Sequence, residues 1–314
     1  MKYMLSKRLA LFALCLASAS GMAASDDESF KQAAGAALLV SGDTENFSIQ
    51  QAAVEYLPKY KHAELLTGFR YTTHHFEQND WQRSGQQVTF LHRNIVPATA
   101  NGWQMGVGLF HQGGHNLLTV DGNYRVALGE RTGLELFINQ DWVKTATALN
   151  NGTHFTFPGL ALEQGLGSHI TLVGLGGQQN FSDGNSRTHG RFKLIVQPNL
   201  DLGMTLQARY RTYTSSSEDV GGAYFNPSGY EEAMLALGWR QKVHGWNARL
   251  TVGTGQQKVA GNPRTPTRLL EVGIQSPLNR TYSLRLHGGL NQSASFNGPD
   301  YRYNYLQIEW IAEL

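Results

Sequence analysis

Cysteine is almost missing from this sequence, no long apolar run follows its first two dozen residues, and neither charge is in excess. The only cysteine in 314 residues is Cys15. It lies within the apolar stretch Leu9–Leu16, behind the basic residues Lys2, Lys7 and Arg8. With the small residues of Gly21-Met22-Ala23 after it, that order reads as a secretory leader, residues 1–23. Leu14 stands where a lipoprotein signal needs a small residue, so lipid attachment is not expected. Cleavage would leave a mature chain without cysteine, which rules out a disulfide framework and a cysteine nucleophile. A membrane helix needs roughly 20 apolar residues, and nothing after the leader approaches that. Loss of Lys2, Lys7 and Arg8 with the leader leaves 23 basic residues against 24 acidic ones. Such a balance gives no electrostatic reason for a nucleic-acid partner, and none is expected.

What the sequence does have is glycine, aromatics and alternation: 35 Gly, 13 Tyr, 14 Phe and 6 Trp. In the final stretch Leu306, Ile308, Trp310, Ala312 and Leu314 alternate with Tyr305, Gln307, Glu309, Ile311 and Glu313. A period of two is that of a strand with one apolar face. The same pattern recurs along the chain. Strands are expected near 35–41, 47–57, 61–74, 86–95, 103–113, 116–128, 132–145, 153–163, 168–181, 187–197, 202–213, 230–242, 246–258, 266–275, 280–293 and 302–314. The weakest signals are the first strand, with Leu38 and Val40, and the one that holds Pro158.

The expected connections fall into two alternating sets. Pro58–Lys61, Pro97–Gly102, Gly129–Arg131, Gly165–Gly167, Pro198–Asp201, Val243–Gly245 and Ser276–Asn279 are short. Phe76–Gly85, Thr147–Gly152, Ser182–Ser186, Thr214–Gly229, Ala260–Pro266 and Ser295–Pro299 are mostly longer and more polar, with His111–His115 a tight exception. Short turns on one side and longer loops on the other, a strand that ends the chain, and a leader together describe an outer-membrane β-barrel. The expected fold is therefore all-β: a transmembrane antiparallel barrel over 35–314, of about sixteen strands with fourteen as the alternative. Both termini would be periplasmic, after a short periplasmic segment at 24–34. A mean hydropathy of −0.34 is compatible, because only alternate residues meet lipid. A soluble sandwich would show the same alternation, whereas the repeat of a propeller is missing. Trp81, Trp103, Trp142, Trp239, Trp246, Trp310 and Tyr282 lie near strand ends, where interfacial girdles form.

Catalytic chemistry is hard to find. A lipid-hydrolysing barrel would resemble a His-x-Ser arrangement, and none of the eleven His has Ser two residues on. His74 and His75 are adjacent and would face opposite sides of a strand. His111 and His115 straddle Gly113-Gly114 without a carboxylate close by, so no metal site is expected there. The Gly106-x-Gly108 and Gly174-x-Gly176-Gly177 runs lack the strand-then-helix setting of a phosphate loop. No enzyme activity, cofactor or metal is expected, and a barrel lipid hydrolase ranks last among the alternatives.

In the longest expected loop, Tyr224-Phe225-Asn226-Pro227 is followed by Tyr230, which opens the next strand. From about Leu202 to Leu314 the chain resembles the C-terminal porin-like domain of bacterial cellulose-synthase outer-membrane subunits and the YaiO family. That resemblance implies an outer-membrane barrel tied to export of a cellulose-like exopolysaccharide, with a polysaccharide and its periplasmic or inner-membrane synthesis machinery as partners beside lipid. The lumen would then be the site. Its expected lining is Arg209, Arg211, Tyr213, Arg240, Arg249, Arg285, Tyr303, Tyr305 and Glu309. The alternative is a non-conducting barrel that binds a partner or supports envelope assembly.

Overall fold

The computed structural model describes residues 30–217, 219–278, 281–295 and 298–314. The expected leader lies outside them. Sixteen strands follow one another: β1 Lys31–Asp43, β2 Phe47–His62, β3 Leu65–Gln78, β4 Trp81–Ile95, β5 Gly102–Gln112, β6 His115–Gly129, β7 Thr132–Trp142, β8 His154–Leu166, β9 Ile170–Phe181, β10 Ser186–Val196, β11 Met204–Ser215, β12 Gly229–Val243, β13 Trp246–Val259, β14 Thr265–Gln275, β15 Tyr282–Ser295 and β16 Gly298–Glu313. Each pairs antiparallel with its neighbour in sequence. β1 also pairs with β16, from Ala33 opposite Glu313 to Asp43 opposite Tyr303, which shuts the sheet on itself. A closed ring leaves no unpaired edge, and at sixteen strands its interior is too wide for side chains alone to fill.

Alternation decides which side is which. Leu235 is 70% exposed while its neighbours Met234 and Ala236 are 5% and 6% exposed. Val54, Phe69, Leu109 and Leu206 likewise stand outside, and Glu55, Arg70, Phe110 and Gln207 stand inside. A continuous belt of exposed Leu, Val and aromatic side chains would be unstable in water and is at home in hydrocarbon. Trp239, Trp310 and Tyr282 are exposed on this face near the short-turn end, as the girdle reading requires. Trp81 and Trp142 are not in it. Both turn toward the interior, with Trp142 only 2% exposed.

Three expected boundaries are corrected. Pro58–Lys61 is not a turn: β2 runs on to His62, and two register shifts against β3 absorb the proline. Phe76–Gly85 is not a loop either. β3 and β4 continue as a polar ribbon to a two-residue turn, where Asn79 takes φ 52°. A strand that rises beyond the bilayer loses its apolar face, so its sequence looks like loop. Thr147–Gly152 holds a one-turn helix, α1, Ala146–Asn151, with Thr145 as N-cap and Gly152 as left-handed C-cap. The two weak strands are real. Pro158 remains in β8, where it has partners in β7 and leaves a gap in the ladder to β9.

Candidate functional site

Nearest the short-turn end, residues of β2–β6 and β12–β16 face one another across a cavity of about 640 Å³. One side carries a chain of ion pairs over five adjacent strands. Glu55 of β2 pairs with Arg70 of β3, whose Nη2 donates to Glu309 of β16 at 2.8 Å. Arg285 of β15 lies 3.5 Å from the same Glu309 and donates to Glu64 in the β2–β3 turn at 2.5 Å. Arg93 donates to the Ala63 carbonyl at 2.6 Å. Gly35 of β1 makes this possible, since a Cβ there would sit 2.8 Å from the Glu55 carboxylate. Below the ion pairs, Ala33, Leu57, Tyr60, Leu66 and Ile311 form an inward apolar cluster that seats the closing seam.

Across the cavity stand Arg240 and Arg249, directly opposite one another on β12 and β13. Further along the wall a second cavity, of about 380 Å³, is lined by Arg191, Lys193, Arg209 and Arg211, with Glu232 and Glu271. Arg211 Nη2 donates to Glu232 at 2.8 Å and to the Tyr230 hydroxyl at 2.9 Å. Tyr213 stacks on Tyr230 with centroids 4.8 Å apart, and Arg187 lies 4.6 Å over the Tyr213 ring. On β16, Tyr303 and Tyr305 stack at 5.8 Å, and the Tyr305 hydroxyl is 3.2 Å from His287.

The other end of the lumen is obstructed by two inward-folded segments. The first is the β7–β8 connection with α1. A single helical turn has no stability of its own, so its hold comes from docking. Leu149 is fully buried among Phe47, Ile49, Phe76, Phe110 and Leu117 on the inner faces of β2–β6. Gln112 donates to the Leu149 carbonyl at 3.0 Å, and Trp81 and Arg83 donate to Asn150. The second segment is the β11–β12 loop, which carries Tyr224-Phe225-Asn226-Pro227. Tyr224 stacks on Phe181 at 4.5 Å and 14°, donates to Asp183 at 2.9 Å and accepts from Asn185 at 3.0 Å. Burial, with the Asp183 carboxylate beside it, pushes the Tyr224 phenol up to about 12. Arg187 holds the Phe225 carbonyl at 2.8 Å, and Asn226 donates to the Ser217 carbonyl at 2.6 Å. The two segments join where Thr145 donates to the Ala223 carbonyl at 2.5 Å. Burial alone would lower the Lys144 ammonium, but Asp141 at 2.7 Å outweighs it and raises its pKa. Between these segments and the β1, β15 and β16 wall remains a cavity of about 400 Å³.

All nine expected lining residues lie on inward strand positions, but they do not form one group. Arg240, Arg249, Arg285 and Glu309 share the large cavity, and Arg209 and Arg211 share the smaller one. Tyr213 sits nearer the long-loop end, beneath Arg187. Tyr224–Pro227 is a fastening inside the mouth, and Tyr230 is buried on β12 as the partner of Tyr213. Glu55, Arg70, Arg93, Arg191 and Lys193 belong to the lining as well. Their signal, a charge at an inward position of an alternating strand, is the one that marked Arg209 and Arg285. Nothing in sequence marked Leu149 or Asn150. His74 and His75 do face opposite sides, and His74 stacks on Phe110 at 4.1 Å.

No protein-family model and no curated protein matches the chain. Solved structures do. A barrel described as a bacterial polysaccharide outer membrane secretin superposes with a TM-score of 0.67 at 10% identity, covering 92% of this chain and all of that one. Pseudomonas aeruginosa OccK11 gives 0.45 at 11% identity over 91% and 98% of the two chains. Acinetobacter baumannii OccAB3 gives 0.44 at 9% identity over 90% and 99%. At these identities the likeness is one of fold, and the fold is that of an outer-membrane β-barrel.

Proposed function

We propose that this barrel passes a polysaccharide across the outer membrane. The observation that carries the reading is the wall-to-wall cavity of about 640 Å³, lined by charged and polar side chains on both sides. A sugar chain presents hydroxyls all round and apolar C–H faces in between. Water-bridging polar groups in the cavity and the half-buried rings of Tyr303 and Tyr305 elsewhere on the inner face of β16 suit both without gripping either. Support comes also from the Tyr224-Phe225-Asn226-Pro227 segment, with its resemblance to cellulose-exporting barrels and the YaiO family, and from the fold shared with a polysaccharide secretin.

The short turns then face the periplasm, where the chain enters, and the two inward segments are a gate at the outer mouth. Conductance in planar bilayers tests this. The native protein should show small, intermittent openings. Leu149→Asp, which puts a carboxylate into the apolar seat of α1, should give larger and longer ones. If neither conducts, no passage exists.

The inward segments also favour a second reading, a non-conducting barrel in which they are a permanent plug. Under it Leu149→Asp destabilises the mouth without opening a path, and the same recording separates the two.

A further inference from the structure

The inner wall of β10 and β11 sets like charges against one another twice in succession. Arg191 stands directly opposite Arg211, and Lys193 directly opposite Arg209. Like charges at directly opposed strand positions repel. Two such pairs in succession, on one face and around one cavity of about 380 Å³, concentrate positive charge there. Two acids face them. Glu232 pairs with Arg211 at 2.8 Å and Glu271 reaches Arg209 at 3.8 Å. Both therefore serve β11. Among the described residues neither Arg191 nor Lys193 has a carboxylate within ion-pair distance. The Nε of Arg211 is buried and has no acceptor among the described residues.

We infer that this wall is a binding site for the carboxylates of an acidic sugar chain, of the uronate-bearing class. Arginine forks match carboxylates in two-point geometry. Two cationic rows on adjacent strands, with the β11 row already paired to Glu232 and Glu271, leave Arg191 and Lys193 as free positions for successive acid groups. A cavity of about 380 Å³ holds sugar-sized groups, being within the roughly 300–1,000 Å³ of ligand sites. The track continues toward the short-turn end at the opposed pair Arg240 and Arg249. Arg249 lies across Gly273, where a Cβ would collide with its side chain. A chain carrying acid groups at intervals would thus meet cations along one wall, while the ion-paired wall of β15, β16, β2 and β3 offers it none.

The inference rests on the transport reading for the route of the chain, so binding and conduction are measured separately. Detergent-solubilised protein is titrated calorimetrically with hexameric oligogalacturonate, with cellohexaose as its neutral twin and with free galacturonate. The acidic hexamer should bind at least tenfold more tightly than either. Raising the salt concentration should weaken it and leave cellohexaose unchanged. Arg191→Gln combined with Lys193→Gln should weaken the acidic hexamer at least tenfold, leave cellohexaose unchanged, and raise the melting temperature of the ligand-free barrel. A purely structural role for these cations would lower that temperature. Equal binding of acidic and neutral hexamers overturns the site, as does a double variant that binds like the native protein. Galacturonate as tight as its hexamer overturns the polymer and leaves a pocket for small carboxylates. A barrel that conducts without preferring the acidic hexamer keeps transport and loses the site. One that binds it but never conducts keeps the site and loses transport.

Discussion

At the scale of the residue, Tyr224 shows how a loop motif becomes a fastening. Its hydroxyl gives one hydrogen bond to Asp183 and takes one from Asn185, while its ring lies on Phe181. Tyr224→Phe keeps the ring and removes both bonds, at a cost of about 1–2 kcal/mol to the docked loop. Hydrogen exchange should show faster opening of the 216–228 segment with the barrel melting unchanged. The phenol's pH dependence has a definite sign. The folded loop holds it protonated, so the docking is intact below the ordinary phenol pKa of about 10 and is lost as pH rises through about 12. Channel openings should lengthen over that window in the native protein and not in Tyr224→Phe. Glu55 makes the opposite case, with a side chain 1% exposed and bound to Arg70. Glu55→Gln leaves that guanidinium without its nearest counter-charge, at a cost on the order of 3 kcal/mol. Urea unfolding in lipid vesicles should show the loss. None of these contacts could be read from sequence, because the partners lie apart in the chain, as Arg285 and Glu64 do at a separation of 221 positions.

At the scale of the element, strands were legible and what sits inside them was not. Alternation such as Met204, Leu206, Ala208 and Tyr210 against Thr205, Gln207, Arg209 and Arg211 encodes a face, and the ring of strands follows from repeating it. The sequence stretch Phe76–Gly85 misled because the part of a strand that stands clear of lipid has no apolar face to display. α1 escaped for another reason. Its six residues, Ala-Thr-Ala-Leu-Asn-Asn, carry no helical period, and the fold assigns them a helix only because Leu149 finds an apolar seat on the inner wall. The helix is accordingly weaker than the wall it leans on. Leu149→Ala should cost about 2–5 kcal/mol locally, expose the 143–153 segment to protease, and leave the electrophoretic mobility of the folded barrel as it was.

At the scale of the whole molecule, the inside-out distribution of apolar side chains sets which changes the barrel tolerates. Leu306 faces outward and Gln307 inward, one residue apart on β16. Leu306→Arg places a charge in hydrocarbon and should cost roughly 2–4 kcal/mol. Gln307→Arg enters a polar interior and should cost far less, which unfolding midpoints in vesicles would show. One further consequence concerns assembly. Each hairpin joins neighbours in sequence, so fifteen of the sixteen ladders can form while the chain is still being delivered. The last ladder, Ala33 to Asp43 against Tyr303 to Glu313, joins the first strand to the sixteenth and has to wait until β16 is delivered. Until then the curling ribbon exposes two raw margins, each able to capture a stranger. A cell that makes this protein needs something to chaperone those margins until they meet, and the row Ala33, Ala34, Gly35, Ala36 and Ala37 gives the latch a slim first half for its mate to slide against.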